Sequence, residues 1–367
     1  MTKSTESRIT LTQFLRTAWQ PGDLQDSLPT LLDTLAAACC EIAAIVSQGQ
    51  LADVLGNSKH CNSQGEQQKK LDLLSNDILI RHAKASGLVA ALVSEELPDV
   101  LSLRPASASC PYLLSFDPLD GSSNVDVNGL LGTIFSVLPA PLTQTPVDAS
   151  AFLQVGARQL CAAYAIYGPS TMLIITFGQG TQGFTLDHHS GDFLLTHPDI
   201  RIPVATQEFA INASYQRFWE APVQRFIEEC QAGQDGPLGK DFNMRWSGAM
   251  IGDVHRVIMR GGVFLYPLDQ RNRHRGGRLR LLYEANPVSW LVEQAGGLST
   301  TGSERILALT PHGLHQRCPL ILGSREEIRR IQAYYQQYQP PTPSKTVLPH
   351  GKARFNTSLA ATPNHGN

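Results

Sequence analysis

The hydrophobic period of this chain changes near residue 89, and that change limits the folds open to it. Before that point, apolar residues recur at steps of three and four. Residues 28–46 carry Leu28, Leu31, Leu32, Leu35, Cys39, Ile42 and Val46, and residues 71–87 carry Leu71, Leu74, Ile78 and Ile80. Both segments are expected to be amphipathic helices. After it, short apolar runs closed by turn residues take over: LVAALV, YLLSF, GTIFSVL, CAAYAIY, TMLIITF and GVFLY. These read as strands, separated by loops rich in Pro, Ser and Asp such as 97–111 and 139–150. A further helix is expected over residues 221–229. Another is expected over 286–297, with Asn286 as cap, Pro287 at the first position and Gly296-Gly297 as the stop. Helices, then strands, then mixed elements point to an α+β protein with two αβ halves, divided at 1–202 and 203–338. Residues 339–367 have few large apolar side chains and are expected to be a disordered tail.

Charge and composition exclude several function classes. The 367 residues hold 30 Lys plus Arg against 32 Asp plus Glu, so no chain-wide basic field exists to hold a nucleic-acid backbone. No apolar run is read as approaching the roughly 18 residues of a membrane-spanning helix. The segment MTKSTESRIT lacks the apolar core of a signal peptide. Seven cysteines (Cys39, Cys40, Cys61, Cys110, Cys161, Cys230, Cys318) form no CxxC pair. Reduced thiols in a cytoplasm fit that pattern better than disulfides or zinc. The expectation is a soluble, cytoplasmic protein with neither a membrane nor a nucleic-acid partner.

Chemistry concentrates in the stretch Ser115-Phe116-Asp117-Pro118-Leu119-Asp120-Gly121-Ser122-Ser123-Asn124. An apolar strand runs into two carboxylates three residues apart, with Pro118 fixing a turn between them. Gly121 then allows a tight turn, and Ser122 and Ser123 offer N–H and hydroxyl donors. Asp117 and Asp120 suit a hard divalent cation, and the amides that follow suit a phosphate. The same residues also suit a polar β-turn. Val93-Ser94-Glu95-Glu96 ends another apolar run. Adjacent glutamates there project to opposite sides, so one can ligate a metal while the other faces a water; an exposed loop pair is the alternative. Asp72 lies between Leu71 and Leu73, where an unpartnered carboxylate is costly, so it requires a cation or a hydrogen-bonded partner. Glu66 and Asp77 add acid nearby, and Glu284 closes the strand-like run RLRLLYE. Several carboxylates at element ends around a phosphate-cradling turn suggest phosphoester hydrolysis assisted by several Mg²⁺ ions. His255, in GAMIGDVHRVIM, reads as a structurally satisfied histidine.

Taken together, GEQQKKLDLLSND, VSEE, FDPLDGSSNVD, GTIF, GDVHR, GGVFLYP, RLRLLYEANP, EQAGG and HQRCPLILGS resemble class I fructose-1,6-bisphosphatase over roughly residues 11–335. DPLDG and EE are shared with inositol monophosphatases; the DGSSN, GGVFLYP and LRLLYEANP forms resemble the bisphosphatase branch. The resemblance implies a layered αβαβα fold and hydrolysis of the 1-phosphate of fructose 1,6-bisphosphate, in gluconeogenesis or a carbon-fixing cycle. It implies two or three Mg²⁺ per subunit, with Mn²⁺ as an alternative. The implied metal ligands are Glu95, Asp117, Asp120, Glu284 and the carbonyl of Leu119, with Glu66 helping a further ion. Asp72 and Glu96 match carboxylates that activate the attacking water. Asp120, Gly121, Ser122 and Ser123 match the 1-phosphate site. Asn212, Tyr215, Met250 and Tyr266 match the sugar and 6-phosphate side. Arg245 matches an arginine reaching a neighbouring subunit's 6-phosphate, which implies a homo-oligomer, typically a homotetramer.

The chain departs from the family at the distal phosphate. Arg278 stands where the family usually has Lys, and Trp246 where it usually has Tyr. Arg278 lies within RNRHRGGRLR, five arginines in residues 271–280, read here as local attraction for a substrate with two phosphates in preference to a solvated basic loop with a modest nucleic-acid resemblance. These changes leave sedoheptulose 1,7-bisphosphate open as a second or main substrate. A non-catalytic sugar-phosphate sensor would be expected to lose a metal carboxylate, and none of the matched ones is missing. At the positions matching the animal AMP site the chain reads Leu24-Gln25-Asp26-Ser27-Leu28, Pro111-Tyr112 and Pro139, so AMP inhibition is not expected. Residues 139–160 contain no cysteine, so neither is a thiol switch.

Overall fold

The structure is a computed structural model that describes residues 8–18, 27–61, 65, 67–141 and 146–338; Glu66, residues 24–26 and the tail 339–367 lie outside the described residues. Helices α1 (Leu11–Ala18) and α2 (Leu28–Gln48) come first, followed by a short hairpin of β1 (Asn57–Cys61) and β2 (Gln67–Lys69) and by α3 (Lys70–Ser86). Then come β3 (Val89–Ser94), β4 (Leu101–Ser102), β5 (Tyr112–Asp120), β6 (Leu131–Pro139), β7 (Cys161–Tyr167), β8 (Thr171–Thr176), β9 (Thr181–Asp187) and β10 (Asp192–Ile200). They form an eight-stranded sheet in the order β10-β9-β8-β7-β6-β5-β3-β4. Its one parallel pair is β3 with β5. The second half adds β11 (Glu208–Ala210), α4 (Ala221–Gln231), β12 (Asn243–Met244), α5 (Met250–Arg260), β13 (Val263–Tyr266), β14 (Leu279–Arg280), α6 (Asn286–Gln294), β15 (Leu298–Thr300), β16 (Arg317–Cys318), β17 (Leu320–Gly323) and α7 (Arg325–Gln337). Its five-stranded sheet runs β12-β11-β13-β17-β15, and β14 pairs separately with β16.

Strand alternation explains the layering. Successive side chains of a strand point to opposite faces. Phe135, Ala163, Ala165, Leu173 and Ile175 therefore pack on one side with Leu31, Leu35, Cys39 and Leu79 of α2 and α3. Ile134, Ala162, Tyr164 and Ile174 point the other way, into a core shared with Ile251 and Val254 of α5, Val288 and Leu291 of α6, and Phe264, Leu320 and Leu322 of the smaller sheet. The outer face of that sheet buries Val263, Leu265 and Ile321 against Val223 and Phe226 of α4 and Ile328 and Ile331 of α7. Helices, large sheet, helices, small sheet, helices: this is the αβαβα layering of an α+β protein.

Four expectations need correction. By length and composition α2 is apolar enough to cross a membrane, although no such run was anticipated. Its Leu28, Leu31, Leu32 and Leu35 are fully buried in the core, which is what that composition serves here. RLRLLYE is not one strand: only Leu279–Arg280 pairs, and Leu281–Ala285 is a π-helical turn. That turn runs directly into α6, so Asn286 is inside the helical path and caps nothing; Gly296, at φ +88°, does end it. The fourth concerns Pro118, which sits within β5 rather than in a turn.

Candidate active site

The acidic residues meet because of one parallel register and one bulge. β3 and β5 pair with Ser94 opposite Phe116, so the next residues, Glu95 just past the end of β3 and Asp117 within β5, lie side by side. The Glu95 N–H donates to the Phe116 carbonyl at 3.2 Å. On the other side of β5, Asp117 faces Ile134 and Asp120 faces Gly132. Three steps on β5 oppose two on β6, which is a β-bulge. In a regular strand, residues three apart point to opposite faces; the extra residue cancels that parity and turns both aspartates to one site. Pro118 is tolerated there because it has no N–H to give to the ladder. Its carbonyl accepts the Thr133 hydroxyl at 2.8 Å, and Thr133 in turn bonds the Tyr167 hydroxyl at 2.7 Å.

Glu284 arrives on the π-helical turn. Carboxylate oxygens of Asp117, Asp120 and Glu284 lie within 4.8 Å of one another. One guanidinium faces them: Arg280 Nη2 is 2.7 Å from Glu95 Oε1, and Nη1 is 3.7 Å from Glu284 Oε2. Arg280 is only 7 % exposed, and its backbone N–H also donates to Glu284 Oε2 at 2.6 Å. Helix α5 contributes its positive end, with the Ile251 N–H donating to Asp120 Oδ2 at 2.7 Å. Burial first raises all three carboxyls; repulsion then adds from Glu95, Asp120 and Glu284 at Asp117, from Glu95 and Asp253 at Asp120, and from Glu95 and Asp120 at Glu284. Asp117 goes well above its ordinary value, Asp120 to about 7 and Glu284 to about 8, the last opposed by Arg280. Four carboxylates share one buried guanidinium, and all the donors are hard oxygens. The set fits divalent cations such as Mg²⁺.

Two glycines let the layers close on this site. Gly121 adopts φ +84°, and a Cβ there would lie 2.7 Å from Ala249 Cβ. At Gly132 a Cβ would lie 2.7 Å from the Ala165 carbonyl oxygen and 2.8 Å from Ile251 Cγ2, so this glycine admits α5. Past Gly121, Ser122 and Ser123 open a 3₁₀ turn (Ser122–Val127), half-buried and exposed respectively. Leu119 is buried, its N–H donating to Asp117 Oδ1 at 2.9 Å.

Asp72 and Glu96 flank the cluster. Asp72 is the third residue of α3 and reaches back to the Lys69 N–H at 2.7 Å, which supplies the partner that its apolar setting required. Its Oδ1 is buried with no hydrogen-bond partner. Burial raises Asp72 to about 7; the Lys69 N–H opposes that rise, and Glu96 and Glu95 add to it. Glu96 accepts from Gln68 Nε2, so the two adjacent glutamates do take different partners.

The distal side is aromatic and cationic. Tyr266 lies at the end of β13, with the Arg278 guanidinium 5.3 Å from its ring centroid and Trp246 edge-on at 6.0 Å. Tyr215 lies beneath Arg271, at 3.2 Å. Asn212 uses Oδ1 to cap its own turn, accepting the Ser214 N–H at 3.2 Å and hydroxyl at 2.7 Å, which leaves its amide nitrogen to offer. Met250 is buried at the start of α5, and Arg245 is exposed beside β12. Asp253 holds the loop between them by accepting the Ser247 N–H at 2.9 Å.

Arg280, Thr133, Gln68 and Asp253 belong to the site's framework and were not singled out from the sequence. Arg280 had a readable signal: it is a basic residue four positions before Glu284, next to an apolar run. His255 is structural as expected, sharing a 2.8 Å hydrogen bond with the Tyr164 hydroxyl, and burial holds it neutral, with its pKa lowered to about 4.

Residues 9–198 match the family described as fructose-1-6-bisphosphatase, N-terminal domain, and residues 202–336 its C-terminal domain. The chain belongs to the fructose-1,6-bisphosphatase family. A relative from Methylobacillus flagellatus, fructose-1,6-bisphosphatase class 1, is 53 % identical over 332 residues, covering 90 % of this chain and 99 % of its own. The crystal structure of Leishmania major fructose-1,6-bisphosphatase in holo form matches with a TM-score of 0.83 at 33 % identity, covering 90 % of this chain and 99 % of that one.

Proposed function

We propose that this member of the family removes the 1-phosphate of fructose 1,6-bisphosphate, giving fructose 6-phosphate and inorganic phosphate. The observation that carries the reading is the convergence of Asp117, Asp120 and Glu284 within 4.8 Å, beside the Gly121 turn. Residues 1–202 are assigned most of the metal and 1-phosphate site, joined by Glu284 from residues 203–338, which otherwise carry the sugar and 6-phosphate side. Asp117, Asp120, Glu284 and Glu95, with the Leu119 carbonyl, would hold two or three Mg²⁺ ions per subunit, or Mn²⁺ in their place; Glu66 is assigned to the same set. Bound there, such ions supply Lewis-acid polarisation of the phosphoryl group and a more acidic water.

The chain's own residues do the rest. The Gly121, Ser122 and Ser123 amides and hydroxyls orient the 1-phosphate. Asp72 and Glu96 accept the proton of the attacking water as its oxygen bonds to phosphorus. The bond from phosphorus to the sugar O1 breaks, and O1 takes up a proton. A carboxyl raised to about 7 is matched to base duty near neutral pH. Tyr266, Arg278, Tyr215 and Asn212 hold the 6-phosphate, Met250 lies beside the sugar, and Arg245, exposed at a sheet edge, serves a neighbouring subunit of a homotetramer. A cytoplasmic setting is supported by the free thiols of Cys39, Cys110, Cys161, Cys230 and Cys318, all buried.

The test compares phosphate release from fructose 1,6-bisphosphate, sedoheptulose 1,7-bisphosphate and inositol 1-phosphate at saturating Mg²⁺. Fast turnover of the first, cut about 10²–10⁴-fold in a folded Glu96→Gln variant, is the expected result. Faster turnover of the sedoheptulose substrate would reassign the substrate, and silence on all three would overturn the reading.

A further inference from the structure

The five arginines of residues 271–280 do not act as one basic patch. Arg280 is buried in the acidic cluster. Arg273 is committed to Glu220, Nη2 to Oε1 at 2.7 Å. Arg275 donates to its neighbour His274 at 3.2 Å. Arg271 and Arg278 remain, and they are arranged alike, each guanidinium lying over a tyrosine ring: Arg271 over Tyr215 at 3.2 Å and Arg278 over Tyr266 at 5.3 Å.

Arg271 is held in that pose from behind. Asp269, only 3 % exposed, accepts the N–H groups of Arg271 and Asn272 at 2.8 and 2.9 Å and takes Arg271 Nη2 at 3.1 Å. The loop is thus wound around a buried carboxylate that fixes the guanidinium plane on the Tyr215 face. A guanidinium has five N–H donors in a planar fork. One nitrogen is used on Asp269, and the stacked plane keeps the remaining edge pre-organised at little cost in rotamer freedom.

We propose that Arg271 is a specificity-determining residue that acts with Arg278 as a two-guanidinium clamp on the distal phosphomonoester, selecting a dianionic group there. The inference rests on the proposed bisphosphatase reading and adds a ligand to its distal side, outside the residues matched by resemblance. The clamp closes on phosphate through charge-assisted, forked hydrogen bonds, and an ammonium in place of Arg271 supplies the charge without the plane.

The test measures kcat and KM for fructose 1,6-bisphosphate in the full-length protein, together with calorimetric binding of fructose 6-phosphate and fructose 6-sulfate, the latter carrying one charge in place of two. In Arg271→Ala, KM rises about tenfold with kcat kept within about twofold, the loss of one hydrogen-bonded charge contact. The preference for 6-phosphate over 6-sulfate shrinks by a similar factor. Arg271→Lys keeps a raised KM, and Arg273→Ala matches the parent protein. An unchanged KM in Arg271→Ala overturns the inference. So does a raised KM with an unaltered phosphate-over-sulfate preference, because a loop that only props Tyr215 would weaken both ligands alike. Full recovery in Arg271→Lys also counts against it. Failure of the parent protein to hydrolyse fructose 1,6-bisphosphate would break the proposed function instead, while the two binding measurements would still judge the clamp.

Discussion

The end of β5 and the loop between β13 and β14 are both dense in charge, yet they are built on opposite rules. At the end of β5, Asp117 and Glu284 are 2 % and 3 % exposed and crowd Asp120, with Arg280 as the paired cation and the Ile251 N–H helping to offset them. Their repulsion is stored in the fold, and burial raises their pKa values because the ionised forms are badly solvated. In the loop, Arg271, Arg273 and Arg278 are exposed, two of them paired with Asp269 and Glu220. Those charges stay solvated and cost little. A site for cation-assisted chemistry has to hold unfavourable charge in reserve, whereas a site that only grips an anion needs charge held in place.

The largest effects should come from the buried side. Asp117→Asn is expected to lower kcat by about a hundredfold or more, in line with losing one preorganised electrostatic group. It should raise the unfolding free energy of the metal-free protein by about 1 kcal/mol, because a repelled carboxylate is removed. Activity and denaturant melts on the same preparation check both; a variant both inactive and less stable would break the contrast.

The pH dependence of stability follows with a definite sign. Asp72, Asp120 and Glu284 have folded values raised to about 7, 7 and 8 from ordinary values of 3.8, 3.8 and 4.5. Over that interval the folded chain binds more protons than the unfolded one, so stability falls as pH rises. His255 works the other way. Its folded value is lowered from 6.5 to about 4, so its contribution is present above 6.5 and lost as pH falls toward 4. The chelator-treated protein should therefore melt at lower temperature at pH 8 than at pH 6, and added Mg²⁺ should close the gap at pH 8. A melting temperature that climbs from pH 6 to 8 without metal would contradict this.

Smaller changes belong to the exposed loop. Arg278→Lys should raise KM by less than about tenfold and leave stability within about 0.5 kcal/mol. Arg273→Ala, which loses only the surface pair with Glu220, should be the mildest, within about 1 kcal/mol and with unchanged kinetics. A large kinetic effect there would mean that the loop acts as a diffuse field after all.

The sequence made this contrast only partly legible, for physical reasons. Asp117, Asp120, Glu95 and Glu96 stand out together: each pair alone also suits a polar turn or an exposed loop, but several carboxylates at the ends of apolar runs point to one site. β5 and β3 were readable from their unbroken apolar runs, since both are buried throughout. β9 and β10 were not read as strands: β10 is an edge strand with much of its length half-exposed, and its pattern is mixed. The Ser190-Gly191 pair between them was the available hairpin signal. Pro118 reads as a turn because a bulge has no local signature beyond the proline itself; the register against β6 decides it. The π-helical turn at Leu281–Ala285 was hidden for a similar reason. LRLLYE alternates well enough for a strand, and only packing against β5 and α6 turns Glu284 inward. Arg271 was visible as part of a run, but its stacking on Tyr215 joins positions 56 residues apart, which no local pattern encodes.

Regiochemistry tests the division between the two sites most directly. Fructose 1,6-bisphosphate would be turned over with Mg²⁺ and the products followed by phosphorus NMR. If the acidic end of β5 performs the chemistry while the arginine loop only holds its phosphate, the products are inorganic phosphate and fructose 6-phosphate. Accumulation of fructose 1-phosphate would reverse the two roles and contradict the account.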